Sequence, residues 1–112
     1  MTSFKRLFEG TILLTTPTTL FTSTVGVMET VIKQVSIVNF TTAAATIVVY
    51  LVPFGGTPGP SNVAIFNEAI GGNQSKVLRR IMNQSLQPGD YISASCSSVN
   101  SVAITASGSE VI

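Results

Sequence analysis

Hydrophobic residues between Val31 and Gly56 fall into two long runs with a period of two, joined by a short Thr/Ala connection and closed by Pro53-Phe54-Gly55-Gly56. In an extended chain successive side chains point to opposite faces. Val31, Val35 and Ile37 then share one face of the first run, and Ile32, Val38 and Phe40 the other. In the second run Ile47, Val49 and Leu51 oppose Val48, Tyr50 and Val52. β-branched and aromatic residues favour strands, and the 3.6-residue stripe of a helix is absent. The pattern predicts the central hairpin of a β-sandwich. Both faces of the second run are apolar, so its outer face needs cover from another strand's side chains, the N-terminal arm or another subunit.

The rest of the chain reads as shorter strands between turns. Residues 1–18 form an extended arm, with Phe4, Leu7 and Phe8 apolar and Lys5, Arg6 and Glu9 between them. Ile12 to Leu14 could make a short strand, and the Thr/Pro cluster at 15–19 breaks it. The arm has two readings: an edge strand of its own domain, or a segment that reaches a neighbouring subunit. Leu20 to Ser23 and Val63 to Ile70 are predicted strands, with a turn at Gly26 after the first. In the second, Val63 and Ile65 face one way, Phe66 and Ile70 the other. Residues 55–61 are a Gly/Pro loop. Residues 76–82 fit a strand or a helical turn about equally well. Gln87-Pro88-Gly89-Asp90 is a turn, and Asp90 is expected to bond locally within it. Residues 91–96 and 102–107 alternate cleanly and predict a second hairpin, with Gly108 marking a bulge. The fold class is all-β: a single antiparallel β-sandwich, immunoglobulin-like or jelly-roll, covering residues 19–112.

Composition narrows the function. Charged residues make up 10% of the chain, against about 25% for an ordinary soluble domain. Ser and Thr fill the polar positions, which suits a chain packed against neighbours. A net charge of +1 argues against nucleic-acid binding. No run approaches the roughly 20 apolar residues of a membrane helix. Glu9 and Pro17 interrupt what would be a signal peptide after Lys5-Arg6.

Candidate chemistry is sparse. Histidine is absent and Cys96 is alone, so histidine acid-base work, a structural zinc site and an internal disulfide are not available. Cys96 falls on the inward side of its strand and reads as a small buried hydrophobe. The five acids are scattered one per segment, with no pairing visible for a glycosidase. The loop at 55–61 lacks the Lys-Ser/Thr of a phosphate loop. Asn-x-Ser/Thr triplets at Asn39, Asn73 and Asn83 are expected by chance in so hydroxyl-rich a chain. Lys76, Arg79 and Arg80 are the one basic cluster besides Lys5-Arg6, either a solvated face or a salt-bridge patch for an acidic neighbour. No catalytic residue, metal or cofactor is expected.

Several blocks carry a resemblance: Ile-Lys-Gln-Val-Ser-Ile-Val-Asn at 32–39, Ala-Thr-Ile-Val-Val-Tyr-Leu-Val-Pro at 45–53, Gly-Gly-Thr at 55–57, Leu-Gln-Pro-Gly-Asp-Tyr-Ile-Ser-Ala at 86–94 and Ser-Val-Ala-Ile-Thr-Ala-Ser-Gly-Ser-Glu at 101–110. Together they resemble small β-sandwich virion proteins of tailed bacteriophages, over residues 20–112. These blocks build the fold, so no active site carries over. The resemblance implies a non-enzymatic virion protein, made in the host cytoplasm. Its leading form is a capsid decoration (cement) protein on the capsid surface, a homo-oligomer such as a trimer, bound to the major capsid protein or another virion subunit. Contact with nucleic acid or membrane is not expected. A neck, tail or baseplate component is the alternative, and a glycan-binding module the second. The residues expected to make protein contacts are Phe4, Leu7, Phe8, Phe54, Lys76, Arg79 and Arg80.

Overall fold

The computed structural model describes residues 2–23, 28–98 and 100–111. Among them are nine strands: β1 (Thr2–Ile12), β2 (Thr18–Thr22), β3 (Glu29–Asn39), β4 (Ala45–Val52), β5 (Val63–Ile70), β6 (Gln74–Val77), β7 (Ser85–Leu86), β8 (Tyr91–Cys96) and β9 (Val102–Val111). They form two antiparallel sheets facing each other. One sheet has the order β1-β9-β3-β6, with β7 also on β3; the other has the order β2-β8-β4-β5. Residues 76–82 supply both of the shapes expected for them, the end of β6 and then a short 3₁₀ turn at Arg79–Ile81. The turn expected at Gly26 lies outside the described residues.

The two expected hairpins are instead crossings between the sheets. β3 and β4 belong to opposite sheets, as do β8 and β9. Residues 40–44 and 97–101 therefore carry the chain across the core. Alternation specifies which face a side chain takes but not which strand lies beside it, so a hairpin and a crossing read alike. Among the described strands that are consecutive in sequence, only β4 and β5 are directly paired.

Of the two readings of the N-terminal segment, the edge strand of its own domain is the one observed. β1 is the edge strand of its sheet, paired with β9 from Thr2↔Val111 to Ile12↔Ala103. The register slips between Arg6 and Phe8, so the neighbouring Leu7 and Phe8 are both buried in the core. A β-bulge of this kind breaks period two, so the segment shows no long alternating run. The same device corrects two further face assignments. A slip between Ile32 and Gln34 puts Ile32 on the face of Val35 and Ile37, all buried. In β5 a slip opposite Ile47 to Val49, with Asn67 at φ 51°, puts Ile70 beside Ile65 in the core and leaves Phe66 exposed. The bulges near Gly108 lie on the strands beside β9: the extra residue of β3 is opposite Ser107 and Gly108, and that of β1 is opposite Ala106 and Ser107.

The core lies between the sheets. Ile32, Val35 and Ile37 meet Ile47, Val49, Ile65, Ile92 and Ala94, with Val102, Ile104 and Ala106 from β9. Each large aliphatic side chain contributes roughly 1.5–3 kcal/mol on burial. Cys96 faces inward as expected, 6% exposed. On the outer face of β4, Val48 and Tyr50 are half-buried and Val52 is fully buried. Cover for Val52 comes from the chain's own loop: Gly56 packs against it, and the Tyr91 hydroxyl donates to the Gly56 carbonyl at 2.8 Å.

Candidate interaction surface

The loop from Pro53 to Asn62 is braced along its length. Gly56 N–H donates to the Pro53 carbonyl at 2.9 Å, Asn62 Nδ2 to the Thr57 carbonyl at 2.9 Å, and Gly59 N–H to Asn62 Oδ1 at 3.1 Å. Asp90 ties this loop to the 87–90 turn. Its carboxylate accepts from Gln87 N–H at 3.0 Å, the local bond expected, and also from Phe54 N–H at 2.9 Å. Gly89, at φ 91°, lies under the Phe54 ring, where a Cβ would sit 2.6 Å from Cδ1. Phe54 is thus held by its backbone and one ring face, yet is 80% exposed. Asp90→Ala is expected to cost about 1 kcal/mol, the loss of two charge-assisted bonds near solvent. Amide exchange should speed up at Phe54 and Gln87 while β8 and β9 stay protected; unchanged exchange at Phe54 would contradict the clamp.

Phe54 shares its end of the sandwich with other exposed apolar side chains. Asp90 and Gly89 pair through their backbones with Ser23, and Met28 N–H donates to the Val111 carbonyl. Phe4 stands on β1 opposite Ser109, 78% exposed. The Ser23 and Thr30 hydroxyls, 2.8 Å apart, bring Phe54 and Met28 to one end, and Phe4 stands on the outer face of the first sheet beside Lys33 and Gly108, all three largely in solvent. On the outer face of the second sheet, Tyr50, Pro60, Val63 and Phe66 line a shallow apolar recess, with Phe66 69% exposed. A single exposed hydrophobe is ordinary, but rings held on braced loops are the anchors that interfaces use.

The expected contact residues divide. Phe4 and Phe54 project into solvent, whereas Leu7 and Phe8 are part of the core and offer no surface to a neighbour. Lys76 is occupied within the domain: its Nζ lies 2.8 Å from Glu68 Oε2 and donates to the Ala69 carbonyl at 2.9 Å. Arg79 and Arg80 are exposed on the 3₁₀ turn, and no ion pair is recorded for them among the described residues. Strict alternation puts Phe66 on the face of Ile70 and so hides the recess around Phe66; the asparagine at 67, a residue that tolerates positive φ, is the signal in the sequence. The glycosylation triplets have structural roles. Asn39 is fully buried, and Asn73 and Asn83 occupy positive-φ turn positions.

Among the described residues no group of three or more His, Cys, Asp or Glu is placed to hold a metal ion, and no helix is long and apolar enough to cross a membrane. No protein-family model, curated protein or solved structure matches this chain.

Proposed function

We propose that this chain is a non-catalytic structural subunit of a tailed-phage virion, in its most concrete form a capsid decoration protein, and that its sandwich is a jelly roll. The strand order supports the topology. The first and last strands are neighbours, and apart from the β4–β5 hairpin and the β6–β7 step along one edge, each connection passes from one sheet to the other. Jelly rolls of this wrap serve as viral capsid and lectin domains. The observation that carries the structural reading is the exposure of Phe4, Met28, Phe54 and Phe66 on a domain of only 10% charged residues. Such side chains favour a permanent, largely apolar interface. A symmetric homo-oligomer, a trimer in this reading, would bury part of them and present the rest to the major capsid protein.

Copy number in purified particles tests this. Decoration gives hundreds of copies that track the major capsid protein, and Phe54→Ser with Phe66→Ser lowers occupancy at least tenfold without unfolding the free domain. A few copies at one vertex or on the tail move the protein to the neck, tail or baseplate. Absence from particles overturns the virion reading. The recess formed by Tyr50, Pro60, Val63 and Phe66 favours one second reading, a glycan-binding module, since two aromatic rings there could stack on a sugar. Titration with host cell-wall glycan, read at those four residues, tests it.

A further inference from the structure

The loop from Pro53 to Asn62 carries a knob and one wall of a hole. Phe54, at the start of the loop, is the knob, with most of its surface in solvent. The hole is the recess on the outer face of the second sheet, walled by Pro60 near the end of the loop and by Tyr50, Val63 and Phe66. Register explains how these side chains meet. Val63 pairs with Tyr50, and a slip between Val49 and Tyr50 gives β5 an extra residue there. Without it Val63 and Phe66, three positions apart, would take opposite faces. With it, both line the recess.

The knob and the hole are held in a fixed relation. Leu51 N–H donates to the Asn62 carbonyl at 3.0 Å and Asn62 N–H to the Gly59 carbonyl at 3.1 Å, in addition to the other bonds inside the loop. Phe54 does not occupy the recess of its own chain: its N–H is bound to the Asp90 carboxylate at 2.9 Å and its ring lies over Gly89. Size and polarity match a phenyl ring. An apolar cavity of about 150 Å³ holds a benzene molecule, and the shallow recess offers about 260 Å³. None of its four lining residues is charged, and the Tyr50 hydroxyl is their one polar side-chain group. A phenyl ring enters without desolvating a charge, whereas a sugar would leave most of its hydroxyls unpaired against this lining.

From this geometry we infer that the recess receives the Phe54 ring of a second copy of this chain, and that the contact repeats head to tail around a closed ring of copies. Knob and hole are different surfaces, so the contact is heterologous, the kind that generates rings when its rotation closes. Area argues against an isolated pair. A buried aromatic side chain covers about 150–250 Å², so one seated phenyl with the walls around it falls short of the roughly 1,200 Å² of a stable complex. In a ring each copy is knob to one neighbour and hole to the other, which doubles what it buries. The braced loop lowers the ordering cost of each contact. The inference rests on the homo-oligomer part of the proposed function and supplies that oligomer with its contact.

The test uses the full chain and two variants at exposed positions: Phe54→Ser, which lacks the knob, and Phe66→Ser, which damages the hole. Sedimentation velocity counts the copies, and circular dichroism checks that each variant is folded. The unaltered chain is expected to form a closed species of three or more copies. Each variant alone should associate at least about 30-fold more weakly, the loss for truncating a ring seated at the centre of an interface. An equal mixture of the two should form pairs and stop there, because one intact knob and one intact hole are left to meet. With Phe54→Ser isotope-labelled, added unlabelled Phe66→Ser should shift the amides of Tyr50, Val63 and Phe66. Val77→Ser, at an exposed apolar position on the other sheet, should leave assembly unchanged. An oligomer that persists in both variants, a mixture that stays monomeric, unaltered chain that stops at pairs, or recess shifts produced by cell-wall glycan and not by Phe66→Ser would each overturn the inference and leave the homo-oligomer reading standing. A chain that is monomeric at every concentration would overturn both.

Discussion

Gly108→Ala is expected to destabilise the domain by more than about 3 kcal/mol, or to prevent folding, through a backbone collision that no side-chain rotation can relieve. A Cβ at this position would sit 2.2 Å from the Val31 carbonyl oxygen and 3.2 Å from Leu7 Cδ1. Gly108 is buried on β9, between the two bulged neighbours. The β3 bulge brings Val31 in against it, and moving Val31 would disturb the pairing of β3 with both β9 and β7. Gly10→Ala provides the contrast. It lies on the edge strand, where the nearest heavy atom to a Cβ is Thr105 Cγ2 at 3.6 Å, an ordinary contact. That variant should stay within about 0.5 kcal/mol of the parent chain, as exposed positions do. Urea denaturation of both variants checks the pair. Equal midpoints would show that the close approach at Gly108 relaxes at little cost.

Asn39→Leu and Asn39→Asp are each expected to cost about 2–4 kcal/mol, the range for breaking a buried hydrogen-bond network. Asn39 is fully buried at the end of β3, where the chain leaves one sheet for the other. Its Nδ2 donates to the Ala43 carbonyl at 2.8 Å and to the Ile70 carbonyl at 3.3 Å. Its Oδ1 accepts from Thr41 N–H at 3.0 Å and Thr41 Oγ1 at 2.7 Å. One side chain thus joins β3, the 40–44 crossing and the end of β5. Leucine is close in size but leaves the two carbonyls without these donors. Aspartate keeps the acceptor and turns a carboxylate toward carbonyl oxygens, which is unfavourable once its charge is buried. Thr41→Val, which removes only the hydroxyl, should cost about 1 kcal/mol. A leucine variant as stable as the parent in urea would mean that the network adds no net stability.

What could be read from sequence followed from where period two holds. β8 and β9 alternate without interruption through Cys96 and Ala106, and their inward residues are the ones expected. The bounds of β5 also match, and Pro88-Gly89 forms its turn. The errors cluster at bulges. Leu7-Phe8, Lys33-Gln34 and Phe66-Asn67 each place an odd residue in the ladder, and beyond each of them the faces exchange. That single effect left β1 as one of two readings of the N-terminal segment and put Ile32 and Ile70 on the wrong faces. Sheet membership was illegible for another reason: it depends on what the 40–44 and 97–101 connections do in three dimensions, and their short sequences suit a turn or a crossing equally. A shallow polar depression on the outer face of the first sheet, lined by Arg6, Gln34, Ser36, Thr105 and Ser107, was hidden twice over, since it needs both bulges and the pairing of residues about a hundred positions apart.

The strand order also bears on how the chain acquires its shape during synthesis. β9 lies between β1 and β3, and β8 lies between β2 and β4. One inner strand of each sheet, β8 or β9, is therefore translated after every other described strand. While the ribosome is still short of residue 91, β1 and β2 have been translated but lack the neighbours they pair with, and β3 and β4 each lack a neighbour on one side. Only the arrival of residues 91–111 can close both sheets. Pairing across so long a stretch of chain is slow, and open strand edges meanwhile invite association with other nascent chains. The sandwich is completed only when residues 91–111 emerge, after the strands that precede them have waited in an incomplete state.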